Sequence, residues 1–71
     1  MKVYYDDEVD ALYIQFADVK PDGVRELTEG INLDTTADEK VVGIEFLKAS
    51  QRLDIKTILS YSLNVEKTVA V

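Results

Sequence analysis

The chain has no histidine, no cysteine and no tryptophan among its 71 residues, and only one proline. Without His or Cys, no Ser–His or Cys–His nucleophilic pair can form. A zinc site of the usual Cys/His type is excluded as well. No disulfide can staple the fold, so the composition implies neither an oxidising nor a reducing compartment. Cations are also scarce: 8 Lys+Arg stand against 14 Asp+Glu, a formal net charge of −6. A carboxylate surplus repels phosphates and anionic lipid, which makes nucleic acid and bare membrane poor partners. No apolar run approaches the ~18–20 residues that span a bilayer, and no signal-peptide core follows Met1. The expectation is a soluble cytoplasmic protein of one domain over residues 1–71, with no cofactor and no metal.

What is present is a 46% hydrophobic complement, enough for one layer-on-layer core. A chain this short buries only ~60% of the surface exposed when unfolded, and ordering it costs roughly 1.5 kcal/mol per residue. Association with a second copy or another protein is therefore expected on stability grounds alone.

Residues 2–47 read as short strands separated by turn chemistry. Val3-Tyr4-Tyr5 is a brief strand, followed by a polar turn over residues 6–10. In the strand from Ala11 to Phe16, a period of two sets Leu12, Ile14 and Phe16 against Ala11, Tyr13 and Gln15. Pro21-Asp22-Gly23 signals a turn, in which proline presets φ and Gly23 can take a positive φ. Val24 to Thr28 resumes as a strand with Leu27 inward, and Glu29-Gly30 forms a tight hairpin. Ile31 and Leu33 then alternate with Asn32 and Asp34. After the polar turn from Asp34 to Lys40, Val42, Ile44 and Phe46 share one face of the strand Val41 to Leu47, opposite Gly43 and Glu45. Short connections favour an antiparallel meander over crossovers. From Ala49 the period changes. Asp54 is a good N-cap, and Ile55, Ile58 and Leu59 fall at helical spacing, which predicts a helix over about 54–61. A start at Ser50 would add a turn and include Leu53. Residues 62–71 read as either an extra strand or a frayed terminus.

The fold class predicted is α+β: an antiparallel meander of four to six strands with one C-terminal helix packed on one face. Charge is uneven along it. Residues 1–45 hold 12 acidic and 4 basic side chains, whereas residues 46–71 hold 2 and 4. A solvated acidic surface explains this blandly; a docking surface for a basic partner explains it more sharply.

Asp6, Asp7, Glu8 and Asp10 form the densest carboxylate cluster. Their oxygens suit a hard cation, yet the spacing is not that of a calcium loop, and a solvated hairpin turn is the preferred reading. Asp34, Asp38 and Glu39 read in the same way. Glu45 sits mid-strand, and its preferred reading faces water beside Gly43, across from Tyr13 or Gln15. If covered, it would be a perturbed acid. Tyr4 and Tyr13 share the parity opposite the core face, as a contact surface or as an ordinary cross-strand pair.

The run Tyr5-Asp6-Asp7-Glu8-Val9-Asp10-Ala11-Leu12-Tyr13-Ile14 is followed by Gly30-Ile31-Asn32-Leu33-Asp34. A third run, Val41-Val42-Gly43-Ile44-Glu45-Phe46-Leu47-Lys48-Ala49-Ser50, completes the set. In this order the three motifs resemble the bacterial and archaeal family known as domain of unknown function 2283, over roughly residues 2–60. The resemblance implies a small sheet-plus-helix protein without an established activity. Some relatives are encoded beside small basic toxin-like proteins, which implies an antitoxin-like role for part of the family. It marks Asp10, Tyr13, Asp34 and Glu45 as motif positions. The chain departs from the pattern at Ala37-Asp38-Glu39-Lys40, where a glycine is common.

The leading expectation is a non-catalytic interaction module, either self-associating or neutralising a basic protein through Asp6, Asp7, Glu8, Asp10, Tyr13 and Glu45. The alternatives are a carboxylate-only, metal-dependent hydrolase using Asp7, Asp10 or Asp34, and a purely structural homo-oligomeric domain.

Overall fold

The computed structural model describes residues 1–60. Five strands form one antiparallel sheet: β1 (Lys2–Asp6), β2 (Ala11–Gln15), β3 (Gly23–Thr28), β4 (Ile31–Thr35) and β5 (Val41–Leu47). Two short helices follow, α1 (Ala49–Arg52) and α2 over residues 55–60. The α+β class and the antiparallel sheet are as expected. Spatially the order is β1-β2-β5-β4-β3. The β1–β2 hairpin and the β3–β4–β5 meander are thus joined by β5 pairing with β2. Central placement suits β5, because its Val42-Gly43 core is buried and a central strand is covered on both edges. Where the chain leaves β2, the Phe16 and Ala17 amides both donate to the Val42 carbonyl, at 2.7 and 3.1 Å.

The register sorts the side chains. Tyr4, Tyr13, Glu45 and Asn32 are successive cross-strand partners in one row, and Gln15, Gly43 and Asp34 lie in the next. Because side chains alternate, these rows share one polar face. The opposite face carries Val3, Ile14, Ile44 and Leu33 in one row and Tyr5, Leu12, Phe46 and Ile31 in another. Leu12, Val42 and Ala49 form the fully buried core among the described residues.

Several expectations need correction. Phe16 falls beyond β2 and is 49% exposed rather than on the core face. Leu27, expected inward, is 55% exposed, because it sits in a bulge of β3, a strand paired on one side only. Bulges and charges such as Arg25 and Glu26 blunt an open edge against further strand pairing. Gly23 opens β3 without a positive φ, whereas Gly30 takes φ 84° in the hairpin as expected. The helix expected over about 54–61 is present over residues 55–60, and a second short helix, α1, precedes it. At Leu53 the backbone is extended, with φ −135° and ψ 154°, and this breaks the helix that a start at Ser50 would have made continuous. Asp54 does cap α2. Its carboxylate accepts from the Thr57 amide at 3.2 Å and from the Thr57 hydroxyl at 2.8 Å. Ile55 and Ile58 are half-buried. The strand considered over 62–71 lies outside the described residues.

In the β4–β5 turn, Glu39 adopts φ 65°, the left-handed region that costs a β-carbon-bearing residue roughly 1 kcal/mol. This is the turn in which the resemblance leads one to expect glycine. Glu39 also pairs with Arg25 at 2.7 Å, but both side chains are mostly exposed, and such pairs contribute little. Glu39→Gly should therefore raise stability by about 0.5–1 kcal/mol. A urea denaturation midpoint that falls would show that the ion pair outweighs the backbone strain.

Candidate functional site

Asp10 closes the β1–β2 turn in the left-handed conformation, φ 55°, which a short polar side chain tolerates. Its carboxylate gathers three donors. Tyr5 Oη and the Ser50 amide reach Oδ1 at 2.7 and 2.9 Å, and Ser50 Oγ reaches Oδ2 at 2.7 Å. The Asp10 carbonyl accepts from the Ala49 amide at 2.9 Å. Lys48, the residue that begins α1, makes no side-chain cap, so Asp10 performs that task from another part of the chain. The Ser50 hydroxyl, then the Tyr5 hydroxyl and the Ser50 amide, hold the Asp10 carboxyl below its ordinary range. The three donors assign this acid to joining the hairpin to α1.

Asp7 and Glu8 occupy the exposed tip of the same hairpin, and Asp6, at the end of β1, accepts from the Glu8 amide at 3.0 Å. The tip is a solvated turn closed by one of its own carboxylates, as the composition suggested.

The polar sheet face is the more organised place. Tyr13 lies across Gly43 and donates its hydroxyl to Asp34 Oδ2 at 2.9 Å. A β-carbon at position 43 would overlap Tyr13 Oη and Cζ and stand 2.8 Å from the Ile14 carbonyl oxygen. Glycine thus permits the ring to bridge three strands. In the neighbouring row, Asn32 Nδ2 donates to Glu45 Oε1 at 3.2 Å. Tyr4 and Tyr13 sit side by side with ring centroids 6.5 Å apart and planes tilted by 37°. Beside them is an open hollow of about 490 Å³, whose lining includes Tyr4, Asp6, Ala11, Tyr13 and Glu45.

Burial, and then the Asp34 hydrogen bond, push the Tyr13 phenol up to about 12. A raised phenol favours the protonated form in the folded protein, so its contribution is complete below the unfolded value near 10 and is lost as pH rises through 12. Ultraviolet difference titration should show a tyrosine ionising near pH 12 that disappears in Tyr13→Phe. Loss of a different transition in that variant would contradict the assignment. The same shift keeps the Tyr13 phenol protonated at neutral pH.

Of the six acids and tyrosines expected at a site, the structure brings together Asp6, Tyr13 and Glu45 on the polar face. Asp7 and Glu8 stand apart at the hairpin tip, and Asp10 is committed to α1. Asp34, a candidate for metal chemistry, is committed to Tyr13. Among the described residues no group of three or more His, Cys, Asp or Glu side chains is placed to hold a metal ion. Sequence reasoning missed the roles of Gly43, Asn32 and Ser50. An isolated glycine within a strand is the signal that could have found the first, since it marks close approach of other atoms. On the far side of the sheet end, Arg52 donates to the Glu29 carbonyl at 2.7 Å beside Gly30.

No described helix is long and apolar enough to cross a membrane. Residues 2–50 match a family model described as "Protein of unknown function (DUF2283)". No curated protein and no solved structure matches the chain.

Proposed function

We propose that this chain, which belongs to the DUF2283 family of proteins of unknown function, is a non-catalytic module that binds a basic protein segment on the polar face of its sheet. The observation that supports this reading is the composition of that face. Asp6, Glu26, Asp34 and Glu45 share it with Tyr4 and Tyr13, against Lys2 as the one base in the paired rows. Carboxylates beside tyrosines supply both long-range attraction and rigid contact area. An antitoxin-like role toward a small basic protein is the form of this function that the family resemblance favours.

The test is calorimetric titration of the full chain with basic peptides, lysine-rich and arginine-rich, at low and high salt. Binding should weaken steeply with salt and fall about fivefold in a variant carrying both Asp6→Asn and Glu45→Gln. An absence of binding by either peptide class would overturn the reading, as would binding that this variant leaves unchanged.

A further inference from the structure

We propose that the hollow beside Tyr4 and Tyr13 is a receptor for an arginine side chain of the partner, so that the polar face reads guanidinium rather than positive charge in general. This rests on the preceding reading and names what the same site recognises.

The lining residues decide the chemistry. Two tyrosine rings form one side, with centroids 6.5 Å apart. Ala11 adds an apolar patch, flanked on the same face by its cross-strand neighbour Leu47, itself 42% exposed. Two carboxylates, Asp6 and Glu45, supply its charge, and Val3, Tyr5 and Leu12 of the same hairpin also line it. Asn32 occupies Glu45 Oε1 and fixes that carboxylate from the β4 side, leaving Oε2 for an incoming donor. An anion is repelled by such a site. A hard metal ion wants several oxygens and no aromatic wall, and no qualifying ligand group exists among the described residues. A purely apolar ligand would strip water from the carboxylates without compensating bonds. What remains is a cation with a flat, weakly hydrated face and several donors at its edge. Guanidinium meets both requirements, stacking its flat face on a tyrosine while one edge N–H reaches Glu45 Oε2. The lysine ammonium, compact and strongly hydrated, gains less from the rings.

The ligand comes from elsewhere, because neither arginine of the chain lines the hollow. Arg25 pairs with Glu39 and Arg52 with the Glu29 carbonyl.

The experiment compares two peptides of equal length and charge, one alternating serine with arginine and the other serine with lysine. Each is titrated into the full chain and into Tyr4→Ala and Glu45→Gln. Tyr4 is 52% exposed, so its truncation leaves the sheet intact, which far-ultraviolet circular dichroism verifies. The arginine peptide should bind roughly fivefold tighter than the lysine peptide, and each variant should reduce that preference to less than about twofold. Equal affinities for the two peptides would overturn the arginine receptor while leaving the acidic docking surface standing. A preference that survives both variants would likewise overturn it, by locating the discrimination elsewhere. Binding of neither peptide would remove both readings.

Discussion

Replacing Gly43 with alanine should destabilise the protein by about 2–3 kcal/mol, the upper range for overpacking a close-fitted position. The new methyl would meet the end of the Tyr13 ring and the carbonyl oxygen of Ile14. Tyrosine can swing aside, but doing so breaks its hydrogen bond to Asp34 and leaves a half-buried carboxylate facing an empty site. The carbonyl belongs to β2 and can yield only if the β2–β5 pairing shifts. That pairing joins the β1–β2 hairpin to the rest of the sheet, so the cost falls on the least redundant junction in the fold. Urea denaturation with Gly43→Ala, Tyr13→Ala and the double variant separates the two contributions. Removing the ring first should make the glycine substitution cheaper by about 1 kcal/mol. Strict additivity would show that the backbone contact alone sets the cost, and an unchanged midpoint in Gly43→Ala would contradict the close approach itself.

The second large effect is expected at Asp10. Asp10→Ala removes the acceptor of three donors and leaves a β-carbon residue in the left-handed region without a polar side chain to favour it. The melting temperature should fall by roughly 10 °C, and by about half as much in Asp10→Asn, which tolerates the backbone and keeps one acceptor. Hydrogen exchange should show amides of residues 49–58 losing protection before those of β2 and β5. A helix of four residues has little stability of its own and here depends on that carboxylate. Acid should act in the same direction. The Asp10 pKa lies below its unfolded value, so its contribution is present above the ordinary carboxylate range and is lost as pH falls through the depressed folded value. Asp54 is held down in the same sense by the Thr57 hydroxyl and amide, and α2 should loosen over the same acidic range. If Asp7→Ala lowered the melting temperature as much as Asp10→Ala, the assignment of Asp10 to α1 would fail, since Asp7 is exposed at the hairpin tip.

Sequence and structure meet unevenly around these two residues. Alternation in Ala11-Leu12-Tyr13-Ile14-Gln15 set the two faces of β2, and the structure keeps them: Leu12 is fully buried and Tyr13 lies on the polar side. The same rule misplaced Leu27, because a bulge interrupts the period of two and an edge strand has no neighbour to cover it. Asp10 and Asp6 looked alike as acids in one turn. What joins Asp10 and not Asp6 to α1 is Ser50, forty residues away along the chain, which donates to its carboxylate.

Composition and local pattern determined on their own the α+β class, the antiparallel strands, the Gly30 hairpin, the Asp54 cap and the exclusion of His- or Cys-based chemistry. Each of these depends on neighbours a few residues apart or on a residue type being absent. Tertiary structure alone decided that β5 pairs with β2, that Tyr13 crosses Gly43 to Asp34, and that Asp10 caps a helix from a distance. Those arrangements depend on contacts between residues 21 to 40 positions apart. Local propensity extends over a turn or a strand, and such pairings are settled only when the whole sheet closes.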